Sequence, residues 1–216
     1  MGFAAEDVSF VPIIDTQPVL QDLQQKMSSL KSVALEFTQE RHLQLFNEPL
    51  KSEGVMLIAR PDFIRWETTA PFQSIMLGDK KSVAQFESTD GVWKKLKLGF
   101  PQMLKRVMEQ MALMNQGKLD ALTSDFKISV ATNHAVAKLT LIPKDANVRE
   151  MLMALEVLMQ PDFSATREVI MREPDGNFTR IIFNREKRNV TLPPGTFDQN
   201  KPREIAAVRA AIEAAP

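Results

Sequence analysis

The chain has 216 residues, 44% of them hydrophobic, with 27 basic and 27 acidic side chains. This length suits a single domain, residues 1–216, with a sizeable core. The balanced charge lacks the basic excess typical of general nucleic-acid-binding proteins, so we expect no nucleic-acid partner. There is no cysteine, which excludes disulfides, thiolate metal sites and a cysteine nucleophile.

Neither a membrane span nor an export signal is recognisable in the sequence. No run of eighteen uncharged apolar residues occurs, so we expect no helix that crosses a bilayer. The first residues, Met1 to Glu6, lack a basic region followed by an apolar stretch. We therefore expect that any export signal is already absent from this chain.

A helix is predicted first, from about 16 to 31, because apolar residues recur there at three- and four-residue spacing. Short β-type segments bounded by turn residues follow. The predicted strands cover 33–46, 52–59, 63–68, 73–78, 82–87, 91–96, 125–131, 135–142, 153–160, 165–173, 177–184 and 188–192. Several, such as 55–58 and 181–183, are apolar at both alternating positions, which indicates that both sheet faces are covered. A curved sheet around a cavity and a filled sandwich both satisfy this pattern.

Two further helices are predicted. Residues 101–115 carry an apolar stripe of Leu104, Met108, Met111 and Met114, which suits either packing or contact with ligands of varied shape. Residues 202–215 begin with a proline and have apolar residues at helical spacing, which is typical of a short helix.

No recognisable catalytic or metal-binding motif occurs. The two histidines, His42 and His134, lack a second histidine at metal-ligand spacing. Phosphate-binding glycine loops, nucleophile elbows and zinc-protease helices are absent from the sequence. Arg65-Trp66 suits a core aromatic residue beside a paired arginine. The sequence therefore predicts a protein that is not an enzyme and uses neither metal nor cofactor.

An ordered set of short motifs resembles the LolA family of outer-membrane lipoprotein carriers. The first half of the set is Phe37-Thr38-Gln39, Gly54, Ala59-Arg60-Pro61, Arg65-Trp66 and Pro71. The second half is Leu139 to Lys144, Asp175-Gly176-Asn177, Thr179 to Phe183, Leu192-Pro193 and Phe197. The resemblance covers about 18–198, and the charged, alanine-rich tail, 199–216, diverges from the family.

The resemblance implies a mainly β (α+β) fold, in which a curved antiparallel sheet forms an unclosed β-barrel with lid helices. It also implies a periplasmic monomer that receives acylated lipoproteins from an inner-membrane transporter and delivers them to an outer-membrane receptor. By resemblance, Arg60 hydrogen-bonds the lid and holds it closed. Candidate cavity residues are Met56, Ile58, Trp66, Ile75 and Leu77, together with Leu104, Met108, Met111 and Met114. Alternatives are another lipophilic cargo, such as a glycolipid or polyene-type intermediate, and a structural or sensor module filled by its own side chains.

Overall fold

A computed structural model describes residues 9–79, 81–96 and 119–200. The predicted helices at 101–115 and 202–215 lie outside these residues. The candidate cavity residues Leu104, Met108, Met111 and Met114, and nearly all of the divergent tail, also lie outside them.

The described residues form twelve strands and three helices. The strands are β1 (Val11–Ile13), β2 (Ser32–His42), β3 (Leu50–Ala59), β4 (Phe63–Ala70), β5 (Ser74–Gly78), β6 (Val83–Thr89), β7 (Val92–Lys95), β8 (Phe126–Thr132), β9 (Ala137–Pro143), β10 (Ala154–Met159), β11 (Thr166–Arg172) and β12 (Phe178–Arg188). The helices are α1 (Gln17–Ser28), α2 (Leu119–Asp125) and α3 (Ala146–Arg149).

All twelve strands belong to one antiparallel sheet. Their spatial order is β1-β8-β9-β10-β11-β12-β2-β3-β4-β5-β6-β7. Among the described residues, β1 and β7 each have one neighbouring strand and do not pair with each other, so the sheet is unclosed. The prediction of a mainly β, unclosed antiparallel architecture is confirmed.

The sheet has two ends that differ in what they carry. At one end, which we call the lid edge, lie the connection from α1 to β2 and the loops 60–62, 79–82, 133–136 and 160–165. At the other end, which we call the hairpin rim, lie the loops 43–49, 71–73, 90–91, 144–153 and 173–177. This division follows from the antiparallel order, since successive connections alternate between the two ends of the strands.

Helix α1 forms where the three- and four-residue apolar spacing predicts it. Pro18 lies in its first turn, where the missing amide hydrogen has no intrahelical acceptor. Its apolar side, including the buried Leu20 and Leu23, packs on β8–β10. The face of the sheet that α1 covers is called the inner face below, and the opposite one the outer face.

The predicted strand at 188–192 is wrong. Strand β12 continues to Arg188, and Asn189 then adopts a left-handed backbone conformation with φ of 53°. The backbone leaves the sheet there, and residues 189–200, called the crossing segment, run over the outer face. In addition, β2 ends at His42 rather than 46, and the short elements β1, α2 and α3 are not predicted.

Candidate functional site

The inner face is apolar along most of the sheet. Its first half, on β8–β10, packs against α1 and consists of Phe126, Val130, Ala137, Leu139, Leu141, Leu155, Val157 and Met159. Its second half, on β2–β4, consists of Val33, Leu35, Phe37, Met56, Ile58 and Ile64 and packs with Leu30, just after α1. Val169 and Met171 of β11 contact both halves. The two halves therefore form one continuous apolar surface.

Strand register decides which predicted cavity residues share this surface. Met56 is opposite Trp66, and Trp66 is opposite Met76, so these three side chains lie together on the inner face. Met56 is fully buried, whereas Trp66 is half-buried with its ring centroid 4.9 Å from that of Phe37. Ile58 lies two residues beyond Met56 and belongs to the same cluster.

Ile75 and Leu77 lie on the opposite face. They flank Met76 on β5, and alternation directs them outward, where they pack with Ala84 and Phe86. Ile75, Leu77 and Trp66 are all candidate cavity residues on the sequence, which does not decide which strand face points inward. The register places Ile75 and Leu77 on the opposite face from Trp66. Because β5 is apolar at both alternating positions, the sequence alone does not distinguish its faces.

Arg60 connects the β3–β4 loop to the C-terminal end of α1. Its Nε donates to the carbonyl oxygen of Leu30 at 2.5 Å, and its Nη2 donates to that of Met27 at 3.1 Å. The last carbonyl groups of a helix have no intrahelical donor, and the guanidinium supplies one. Arg60 therefore ties α1 to the β2–β4 half of the sheet.

Lys26 makes a second connection, to the other half of the sheet. Its Nζ donates to the backbone oxygen of Asp162 in the β10–β11 loop at 2.5 Å and to the Asp22 carboxylate at 2.7 Å. Hydrogen bonds from Ser164, helped by the charge of Lys26, lower the pKa of Asp162 against the small opposing effect of burial. The C-terminal turn of α1 is thus tied to both halves of the open sheet at the lid edge.

The crossing segment covers a buried ion pair on the outer face. Arg65 and Glu67 are 1% and 3% exposed, and Arg65 Nε and Nη2 donate to Glu67 Oε2 at 2.8 and 2.5 Å. Arg65 Nη1 also donates to the carbonyl of Thr196 in the crossing segment at 2.8 Å. This agrees with the expectation of a paired arginine beside Trp66. The partner Glu67 was not predicted. It lies two residues after Arg65 and therefore on the same face of the strand, a spacing that suggests an ion pair.

A surface pocket of about 580 Å³ lies at the lid edge between Arg60 and the crossing segment. Its walls include Lys31, Phe63 and Phe197, and the two phenylalanine rings stack with centroids 5.4 Å apart. It does not include Met56, Ile58 or Trp66. The pocket is therefore distinct from the inner face, although Arg60 is next to both.

Ion pairs cover much of the outer face of β10–β12, β2 and β3. Glu40 lies 3.4 Å from Lys51 and 3.7 Å from Arg180, and Arg180 forms a 2.8 Å pair with Glu168. Burial opposes ionisation of Glu40, but the hydrogen bond and charge of Lys51, with His42 and Arg180, outweigh it and lower its pKa. This charged surface contrasts with the apolar inner face on the other side of the same strands.

Within residues 9–79, 81–96 and 119–200, no three histidine, aspartate or glutamate side chains come together as a metal site. His42 instead stacks on Phe178, with ring centroids 4.2 Å apart. Among the helices of the described part of the chain, none is long and apolar enough to span a bilayer.

Comparison with known proteins gives a consistent family assignment. The model of the family described as outer membrane lipoprotein carrier protein LolA matches residues 28–200. The chain belongs to this family. An outer-membrane lipoprotein carrier protein of Chromobacterium violaceum is 26% identical over 170 residues, which span 73% of this chain and 72% of that protein. An outer-membrane lipoprotein carrier protein of Pseudoalteromonas translucida is 22% identical over 191 residues, which span 86% of this chain and 84% of that protein.

Among solved structures, a LolA superfamily protein from Nitrosomonas europaea is similar to this chain with a TM-score of 0.46. It is 11% identical, and the match covers 87% of this chain and 99% of that one.

Proposed function

We propose that this LolA family member is a periplasmic carrier that holds the acyl chains of lipoproteins against its inner face and performs no catalysis. In this proposal it accepts cargo from an inner-membrane transporter and passes it to an outer-membrane receptor. The observation that carries the proposal is the continuous apolar inner face, closed by a helix that is tied down at its C-terminal turn by polar contacts. Family membership supports the same function.

The chemistry of the inner face suits flexible apolar chains. Removing one methylene from water is favourable by about 0.8 kcal/mol, so an acyl tail is costly to expose and gains much from an apolar surface. Methionines contribute to both halves of the surface, with Met159 in one and Met56 and Met76 in the other. Their flexible thioethers accommodate chains of different shape.

Loading requires α1 to move, because its buried Leu20 and Leu23 occupy the β8–β10 half of the inner face. Arg60 and Lys26 hold α1 through a few polar side-chain contacts. These contacts can break while the pairing of the strands beneath α1 stays intact. We propose that acyl chains take the place of α1 side chains on the inner face, and that Arg60 sets how readily the lid opens.

Native mass spectrometry tests this proposal with an acylated lipoprotein, its non-acylated form and a total lipid extract. A one-to-one complex is expected with the acylated lipoprotein and not with its non-acylated form. Met76→Glu places a charge on the half-buried inner face and is expected to abolish the complex. Ile14→Glu, at a side chain that is 99% exposed, is the matched control and is expected to retain it.

Two other results would redirect the assignment. Retention of a smaller lipophile from the extract, with no lipoprotein complex, would indicate a carrier of a different cargo. Binding of neither lipoprotein nor lipid would indicate that the inner face is filled permanently by the protein's own side chains.

A further inference from the structure

A row of uncharged polar side chains crosses the inner face on the hairpin-rim side of its apolar surface. Gln39 of β2 is paired with Ser52 of β3, and Thr179 of β12 lies on the same face, diagonal to Gln39. On β4, Thr68 is paired with Gly54, the inner-face position next to Ser52. The four polar residues, Thr179, Gln39, Ser52 and Thr68, are called the polar strip below.

The polar strip borders the apolar surface on three of its four strands. Two residues nearer the lid edge lie Ile181 on β12, Phe37 on β2 and Trp66 on β4, all members of the apolar cluster of the β2–β4 half. Along β2, inner-face positions from Gln39 to Val33 span about 20 Å, a length that accommodates an extended acyl chain. This half of the inner face therefore has a polar end at the hairpin rim and an apolar end at the lid edge.

Thr179 is a buried polar side chain whose hydroxyl group has no hydrogen-bond partner within the described part of the chain. It is only 6% exposed. By contrast, the buried hydroxyl groups of Ser32 and Thr196 each donate to a backbone carbonyl oxygen at 2.6 Å, and the buried Arg65 donates to Glu67. A buried hydroxyl group without an acceptor is unfavourable. On the face that is proposed to hold cargo, Thr179 therefore points to a ligand that supplies the acceptor.

From these observations we propose that the polar strip binds the ester or amide carbonyl groups through which acyl chains are attached to the cargo. The hydroxyl group of Thr179 and the carboxamide of Gln39 donate hydrogen bonds, and an acyl carbonyl oxygen accepts them. All four side chains are uncharged, which suits a neutral carbonyl group rather than a phosphate. The acyl chains then run from the polar strip towards the lid edge. This inference rests on the proposed function and adds to it the orientation of the cargo and a preference for acyl over alkyl chains.

Displacement of an apolar fluorescent probe tests this preference with two matched ligands, dioctanoylglycerol and its ether analogue dioctylglycerol, which lacks the ester carbonyl groups. The readout is the ratio of the two dissociation constants, so that the greater hydrophobicity of the ether cancels between variants. Thr179→Val replaces the hydroxyl group by a methyl group and is expected to lower the preference for the ester about fivefold, through the loss of one hydrogen bond. Thr140→Val makes the same change at a half-buried position on the outer face of β9 and is expected to keep the native ratio.

Urea unfolding of Thr179→Val provides a second measurement that does not depend on ligand. Because the hydroxyl group has no partner among the described residues, its removal is expected to leave the free energy of unfolding unchanged or to raise it. A large loss of stability would overturn the inference, since the hydroxyl group would then have its acceptor within the protein.

Two binding results would also overturn the inference while leaving the proposed function intact. One is an unchanged ratio in Thr179→Val, because the hydroxyl group would then make no contact with the ester. The other is an equal weakening of ester and ether binding, because residue 179 would then contribute through packing alone. If the native chain binds neither ligand, the proposed function itself fails, and the inference fails with it.

Discussion

Replacing Arg60 by leucine is expected to release α1 from the lid edge while leaving the sheet folded. The substitution removes two charge-assisted hydrogen bonds, to the carbonyl oxygens of Leu30 and Met27. Each such bond contributes about 1.5–3 kcal/mol when buried, and Arg60 is only partly buried. Taking the lower end for both gives about 3 kcal/mol, or roughly a hundredfold change in the opening equilibrium of the lid.

Hydrogen exchange measured by mass spectrometry reports this opening directly. Amides of α1 in the leucine variant are expected to exchange up to roughly a hundredfold faster, while those of β9 and β10 keep their native rates. Arg60→Lys keeps the charge but loses the planar fork of donors, so an intermediate rate is expected. Arg185→Leu, which breaks only an exposed 3.4 Å pair with Glu36, is the matched control and should leave α1 unchanged.

The reasoning about Arg60 would be refuted if α1 amides in the leucine variant exchanged within about twofold of the native rate. It would also be refuted if the whole sheet lost protection together with α1, because Arg60 would then stabilise the fold as a whole rather than the lid.

Three stability predictions follow from other parts of the sheet, each measured by urea unfolding. Gly54→Ala is expected to cost at least about 2 kcal/mol, because the added Cβ would lie 1.9 Å from the Glu67 carbonyl oxygen on the neighbouring strand; native stability would show that the strands separate easily there. Glu67→Ala leaves Arg65 buried without its carboxylate and is expected to cost about 3–5 kcal/mol, against about 0.5 kcal/mol or less for Glu36→Ala at an exposed pair. Equal effects of the two alanine substitutions would contradict this reading. Because the pKa of Glu40 is lowered in the folded state, its stabilising contribution is complete above its ordinary pKa of about 4.3 and is lost as the pH falls through the lowered value. Glu40→Gln is therefore expected to weaken the fall of the unfolding free energy at acidic pH. An unchanged pH dependence would show that groups other than Glu40 cause the acid destabilisation.

Several features follow from local sequence and were predicted correctly. The spacing of Leu20 and Leu23 predicts α1, and Asp175-Gly176 predicts the hairpin between β11 and β12, where Gly176 has a φ of 80°. Short β-branched runs separated by turn residues predict most of the strands. These signals depend only on neighbours within a few residues, which is why one sequence reveals them.

The crossing segment shows why the predicted strand at 188–192 failed. Its apolar residues Val190 and Leu192 have a β-like pattern, yet they pack on Ala34, Val55 and Leu57 from above the sheet. That packing is decided by contacts more than 130 residues apart in sequence, such as the hydrogen bond from Ser32 Oγ to the carbonyl of Val190. The β propensity of a short segment does not depend on such distant contacts, so it does not predict where the segment packs.

The assignment of side chains to the two faces was also decided by tertiary structure. The sequence by itself determined that this is a mainly β chain, and its resemblance to the LolA family made Arg60 a candidate contact to the lid. It left open which of Trp66, Ile75 and Leu77 faces inward, because neighbouring strand positions are all apolar. Strand pairing settles that question, since a shift of one residue moves every side chain of a strand to the other face. It likewise brings the hairpin loops to one end, where Leu45 and Phe72, far apart in sequence, share the exposed rim.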